Sequence, residues 1–501
     1  MVMTGYAVLK KTKTRRDKMS KKILALILSI VMILACLSGC SRTQPSDTTE
    51  QPSNSDPQQT TKTTTEPSTS SGDPTVITIW DGNAHQKAFL TERIAAWNES
   101  IGKRLNVQIE YVFQDGMSDK LTVAYETGTE PDIFYELNYN ARVQRNEVCA
   151  MEDIPGTEAI IEKYGPYGIP TQTIIGGKTY SVYSTTTTYG MVYNRDMFRA
   201  AGLVDENGEP TPPETWDEYV EYCRTLTNPA KKEYGIIIDG KDSWWYGNYI
   251  GYEASTTDGF NNSWNMHTGK YDYTTAIKLM KMYMQIKAEG LYYPGMEGLN
   301  DDTCRALFGV GGIGMKPAAS YDFAVYTTQF PASIDWGVFE TPTYDAQNRQ
   351  GHRMSPSGAW AVSAKAGEAK TEAVAAVLNF LYSDEVIIDS YKQGVNIPID
   401  ASLTEGVELP EGMENWKAFA ELVNSSVVYP ISHGVDLEGG PSASVLFREQ
   451  IWPNNLTDEQ IDEITADLDD RYNKGTQVYK EEHPEFDPAN VIFPDFDASV
   501  R

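Results

Sequence analysis

The residues that could do chemistry in this chain are mostly aromatic. It carries ten Trp and thirty Tyr in 501 residues. Several stand in polar, Gly-containing stretches: Trp244-Trp245-Tyr246 follows Lys241-Asp242-Ser243, Trp264 follows Asn261-Asn262-Ser263, and Tyr321 follows Ser320. A flat ring packs on the apolar C–H face of a sugar, while Asp, Glu, Asn, Gln and hydroxyl groups bond its polar rim. A pocket of that kind needs aromatic bodies and a few convergent polar groups. A single Trp in such a stretch is more often core than platform, so burial decides between the two.

Other chemistries find less support. Gly309 to Gly314 fits G-x-G-x-x-G, but the dinucleotide fingerprint needs a strand before it and a helix after it. Here a helical pattern precedes and Pro317 follows, and Met315 stands where a phosphate-binding loop needs Lys. The five His, at 85, 267, 352, 433 and 483, show no metal-ligand spacing. Asp467-Leu468-Asp469-Asp470 begins like a calcium loop but lacks the mid-loop Gly and lies in a helical pattern. Ser355-Pro356-Ser357-Gly358 lacks the leading Gly of a nucleophile elbow. The expectation is no cofactor, no metal and no catalytic residue. A glycoside hydrolase would need two carboxylates about 5–10 Å apart across a sugar site, and no motif marks such a pair.

The elements that must position these residues alternate strand and helix. Val76 to Trp80 reads as an apolar strand; Leu90, Ile94, Trp97 and Ile101 share one helical face; Leu105 to Phe113 alternates as a half-buried strand. A short helix around Lys120 to Glu126 and a strand Ile133 to Tyr135 follow. This order predicts an α/β fold with a parallel sheet, whose ligands lie beyond the carboxyl ends of strands. That places Trp80-Asp81, Gln114-Asp115, Glu136, Asn138 and Tyr139 at a candidate site. Cys149, Cys223 and Cys304 lack metal-type spacing and are expected as buried, unpaired thiols, with one disulfide plus a free thiol as the alternative.

The N-terminus makes a separate statement. Lys21-Lys22 precedes the apolar run Ile23 to Leu37, too short for the roughly 20 residues of a spanning helix. The run ends in Leu37-Ser38-Gly39-Cys40, which resembles the bacterial lipobox, where the Cys receives a diacylglycerol. Residues 1–39 then form a signal peptide, with Met19 a plausible start, and Cys40 becomes a lipid anchor. Residues 41–74, rich in Ser, Thr, Pro and Gln, read as a disordered spacer. The chain carries −28; residues 1–39 hold eight Lys/Arg and one Asp, so their removal leaves −35. That charge argues against nucleic acid as a partner and against an anionic ligand drawn in by the overall field, and leaves a local basic pocket open.

Further on, Gly177-Lys178-Thr179-Tyr180 is followed by Tyr193-Asn194-Arg195-Asp196-Met197-Phe198, then by Pro213-Glu214-Thr215-Trp216-Asp217-Glu218, where Thr215 and Glu218 form a capping box. Ala306-Leu307-Phe308 leads into Gly312-Ile313-Gly314-Met315; Ser357-Gly358-Ala359-Trp360 precedes a helix bearing Ala373, Val377, Phe380 and Leu381; Gly394 to Ile399 makes a turn. These motifs, in this order, resemble the family 1 extracellular solute-binding proteins of bacterial ABC importers, of the carbohydrate-binding kind. The pattern departs at Ser181 and the Thr-rich run after it, and in extra length around 399–450.

The resemblance implies a two-lobed, periplasmic-binding-protein-like fold with ligand between the lobes. Lobe 1 would take residues 75–179 plus 339–383, and lobe 2 residues 180–338 plus 384–501. To the strand-end residues it adds Tyr183, Thr185, Trp244, Trp245, Trp264, Ser320, Tyr321, Ser357, Trp360 and Asn396 as ligand-binding candidates, with Trp244, Trp264, Trp360 and Trp80 foremost. It implies a carbohydrate ligand, an oligosaccharide, and permease subunits of an ABC transporter as partner. The protein would be a monomer at the outer face of the cell membrane, held there through its lipid alone. Receptors for a peptide or a polyol, and a secreted glycoside hydrolase, are the alternatives.

Overall fold

The computed structural model describes residues 72–136, 139–241, 245–484 and 486–499. Cys40 with its flanking signal and spacer, Asn138 and Trp244 lie outside the described residues.

Two sheets organise the chain. In the first, the strands run in the order Val107–Phe113, Thr75–Asp81, Ile133–Tyr135, Trp360–Ser363, Val148–Cys149. The first three are parallel, and Trp360–Ser363 is antiparallel to its neighbours. In the second, the order is Trp336–Phe339, Tyr189–Asn194, Ile313–Ala319, Tyr234–Ile236. Each sheet has its own hydrophobic core. Ile77, Ile79, Leu90, Ile94, Trp97, Val374 and Leu378 belong to the first. Met191, Phe198, Tyr219, Leu279, Met315 and Phe339 belong to the second. Two cores on two sheets make the two-lobed α/β architecture that the motif order implies.

A third, small sheet joins them. Ser355–Ser357, Thr185–Thr187 and Ile397–Pro398 pair antiparallel, with Thr185–Thr187 in the middle. Thr185–Thr187 runs directly into the second sheet at Tyr189, and Ser355–Ser357 runs into the first at Trp360. Segments passing between two cores must still satisfy their backbone polar groups, and pairing with one another does so. The Thr-rich run suits this task, because β-branched Thr fits a pleated, half-buried surface.

Most local expectations hold. Thr215 and Glu218 form the capping box at the head of the helix Trp216–Leu226. The Gly-rich run lies between the helix Asp301–Gly309 and the strand Ile313–Ala319, the reverse of a dinucleotide site. Gly311 and Gly312 take φ of 97° and 82°, so the turn needs their freedom. Two expectations fail. Leu105 does not open a strand: Asn106 turns left-handed at φ 53°, the strand starts at Val107, and Leu105 is 52% exposed. The apolar face of the first helix also stops at Trp97, leaving Ile101 40% exposed. Cys223 and Cys304 are buried free thiols, whereas free Cys149 is only half-buried. Among the described residues no helix is long and apolar enough to cross a membrane.

Beyond the third crossing Ile399, Leu403 and Val428 still pack on the first core, and most of the following chain packs on the second lobe. Trp416, Phe419, Trp452, Ile461, Leu468 and Val491 all join its core, and Ser426–Val427 pairs in parallel with His352–Arg353, just ahead of a crossing strand. The extra length around 399–450 therefore thickens that lobe and reaches the hinge.

Candidate functional site

Asp81 ends the strand Thr75–Asp81 of the first sheet and is wholly buried. Four donors surround its carboxylate, each at 2.9 Å: the Asn83 backbone N–H, Asn83 Nδ2, Gln86 Nε2 and the Tyr111 hydroxyl. Burial raises the Asp81 pKa, and these hydrogen bonds pull against it. Gln86 passes the network on, because its Oε1 accepts from Asn396 Nδ2 at 3.2 Å. Asn396 Oδ1 in turn lies 3.2 Å from His85 Nε2. A carboxylate at a strand end in lobe 1 is thus tied to the residue that enters the third crossing strand.

Beside this network stands an aromatic pair. Tyr135, at the end of its strand, is the register partner of Trp360. Their ring centroids are 5.7 Å apart and their planes 78° apart. Trp360 is buried, and its backbone N–H donates to the Tyr382 hydroxyl at 2.9 Å, which donates to Val182 O at 3.0 Å. Tyr135 is half-buried and presents the more open ring.

The crossing strands add hydroxyls. Thr185 Oγ1 and Ser357 Oγ lie 2.8 Å apart, and the Tyr189 hydroxyl and Ser355 Oγ 3.0 Å apart. On the second lobe, Ser320 is buried and its N–H donates to Thr188 O at 2.9 Å. Tyr321 next to it is 37% exposed. The Arg305 guanidinium lies 5.5 Å from the centre of that ring. Arg305 is itself held by Asp322 at 2.6 Å, Asp301 at 2.8 Å and Asp302 at 3.0 Å. A charged network therefore fixes a ring that remains open to water.

The remaining candidates divide by burial. Trp80 and Gln114 are half-buried at the strand ends, the Gln114 N–H donating to Asp81 O at 2.8 Å. Glu136 is engaged by Arg142, with Nε–Oε2 at 2.5 Å. Tyr139 is wholly buried, and its hydroxyl bonds the backbone oxygens of Glu136 and Ala359, so it packs inside lobe 1. Tyr183 is buried and donates to Gln172 Oε1 at 3.1 Å. Trp245 and Trp264 need correction as platforms: each is 1% exposed. Trp245 packs against Tyr246, Tyr283 and Trp452. Trp264 packs on Tyr271 and His433 and donates Nε1–H to Val491 O at 2.8 Å. Polar neighbours in sequence are not neighbours of the ring, and the C-terminal segment covers what would have been an open face.

Sequence reading missed Tyr135, Tyr111, Asn83, Gln86, His85 and Tyr189. Tyr135 was within reach, since the strand-end rule that selects Glu136 applies one residue earlier. Gln86 and Tyr111 carry no such mark, because only the fold brings them to Asp81.

Residues 85–387 match the family described as bacterial extracellular solute-binding protein. A binding protein of Brucella abortus is 25% identical over 179 residues, covering 34% of this chain and only 39% of that relative's own length. A multiple sugar-binding protein of Streptococcus mutans is 30% identical over 93 residues, 19% of this chain and 20% of that one. Among solved structures, apo RafE from Streptococcus pneumoniae superposes with a TM-score of 0.58 at 16% identity, over 81% of this chain and 99% of that chain. A cyclic α-maltosyl-1,6-maltose binding protein from Arthrobacter globiformis gives 0.60 at 16%, over 81% and 100%. Both structural likenesses are of fold.

Proposed function

We propose, for a chain that belongs to the bacterial extracellular solute-binding protein family, that it captures an oligosaccharide between its lobes and delivers it to the permease of an ABC importer. The observation that carries this reading is the division of ring and rim chemistry. The Tyr135–Trp360 pair and the Asp81 network belong to one lobe, Tyr321 belongs to the other, and the hydroxyls of Thr185 and Ser357 lie on the strands between them. Trp80, half-buried at a strand end, adds a ring, and Asn396 and Ser357, half-buried at the crossings, extend the polar rim. The names of similar proteins agree: a multiple sugar-binding protein, a structure with raffinose and a chitin oligosaccharide binding protein.

In this reading, the lobes divide at the crossing strands Thr185–Thr187, Ser355–Ser357 and Ile397–Pro398, so that Tyr183 falls in lobe 1 and Phe339 with its strand in lobe 2. Ligand touching both lobes stabilises the closed form, which the importer recognises. The task is capture without turnover. Lipid on Cys40 holds the receptor at the outer face of the membrane and raises its effective concentration near the permease. Titration calorimetry against a panel of neutral oligosaccharides tests the ligand class. One-to-one binding of at least one, with the sugar recovered unchanged, is expected. Binding of a peptide or polyol with no response to any sugar would overturn it. For the anchor, Cys40→Ser should move the protein from the membrane fraction to the medium.

A further inference from the structure

Among the described residues, Arg353 is a cation without an anion. Every other described arginine except the exposed Arg104 has a carboxylate within 4.0 Å. Arg353 has none among the described residues, in a chain where 70 acidic residues outnumber 42 Lys and Arg. It is half-buried rather than freely solvated. Its Nη1 donates to the neutral Asn261 side chain, and its guanidinium carbon lies 4.7 Å from the centre of the Tyr252 ring. Nε is shielded from water and has no acceptor. A charged group this far withdrawn from water, with only an amide and a ring for company, is under-satisfied.

Its position gives that deficit a direction. Arg353 lies two residues before Ser355 on an extended segment, so the two share a side, while Met354 between them enters the lobe 1 core. That side is the one where Ser355 meets the Tyr189 hydroxyl, and Tyr189 packs on Tyr252 with centroids 5.1 Å apart. Burial raises the phenols of Tyr183 and Tyr189, and the Arg353 charge opposes it at both. The guanidinium therefore belongs to the crossing strands, where the two lobes meet.

We infer that Arg353 receives a carboxylate of the ligand, which makes the captured sugar an acidic, uronate-bearing oligosaccharide. With Nη1 committed to Asn261 and Nε shielded, Nη2 is the donor left for a ligand. A carboxylate there receives a charge-assisted hydrogen bond from Nη2 and the field of the whole guanidinium. The protein's acidic surface does not draw such a ligand in from afar, so selection is local, by one cation at the hinge. This inference rests on the carbohydrate reading above.

The test compares trigalacturonate and a glucuronate-bearing xylotriose with the methyl ester of each, by calorimetry on the wild-type protein at low salt. At least one acid should bind tenfold or more tighter than its ester, and Arg353→Gln should bring it down to the level of the ester. The melting temperature of Arg353→Gln establishes that the variant is folded; if it is not, the acid–ester comparison on the wild type decides. Equal affinities of acid and ester, or binding of neutral oligosaccharides alone, would overturn the inference and leave the carbohydrate reading standing. Failure of every sugar, with binding of another solute class, would overturn both. A sulfate-bearing trisaccharide binding where the carboxylates do not would replace the carboxylate with a tetrahedral anion and so overturn the assignment.

Discussion

Tyr135 and Trp360 face each other across one rung of the lobe 1 sheet, ring edge to ring face at 5.7 Å. Their burial differs, and this separates their roles. Trp360 is enclosed, so Trp360→Ala should lower stability by about 3–5 kcal/mol. Tyr135 is half-buried, so Tyr135→Ala should weaken ligand binding by about 1–3 kcal/mol, as loss of an anchor does, with a smaller change in melting temperature. Calorimetry and thermal unfolding on both variants check this. Unchanged affinity for Tyr135→Ala would remove it from the site.

Trp264 gives the opposite pattern. It is interior, with its indole N–H committed to Val491 O. Trp264→Ala should cost about 3–5 kcal/mol of stability and leave the dissociation constant of the folded fraction unchanged. A large loss of affinity at an unchanged melting temperature would restore it as a platform.

Asp81 should behave as scaffold. Asp81→Asn keeps the shape but sets an amide donor among four existing donors. A cost of about 1–3 kcal/mol in denaturant unfolding is expected, since buried donors then lack an acceptor. Asn396→Ala breaks only the outer links to Gln86 and His85 and should cost less.

Three buried groups bear on the pH dependence of stability. Burial pushes the Glu253 carboxyl up to about 8, against the Tyr283 hydroxyl that donates to it at 2.7 Å. The folded state then holds a proton that the unfolded state releases near pH 4.5, so this contribution is full below 4.5 and is lost as pH rises toward 8. Asp258, pushed up to about 7 by burial, acts in the same direction. His352 works on the other limb. Burial lowers it to about 4, so its contribution is full above 6.5 and is lost as pH falls from 6.5 toward 4. Glu253→Gln should flatten the alkaline limb by about 3 kcal/mol between pH 5.5 and 8.5 and leave the acid limb in place. Calorimetric melting across that range reads both.

The thiols should react in order of burial. Cys223 and Cys304 are enclosed and held protonated by burial, whereas Cys149 is half-buried at a sheet edge. A thiol reagent on the native protein should modify Cys149 ahead of the other two, and all three only after unfolding.

The sequence by itself determined the order of elements and their local starts and stops. The capping box at Thr215, the reversed helix–strand order around Gly309 to Gly314 and the strand ends at Asp81 and Glu136 all follow from spacing and periodicity, which act within a few residues. It also carried the motif order that placed the chain in its family. Tertiary structure alone decided which aromatic rings are interior. Trp264 and Tyr321 stand in equally polar stretches, yet one is covered by a segment more than 220 residues away and the other is held open by Arg305. The same holds for Asp81, whose partner network reaches Asn396 through Gln86, and for Arg353, which is conspicuous only because no carboxylate among the described residues comes near it. Burial and charge pairing are properties of long-range contact, and no local pattern of residue types encodes them.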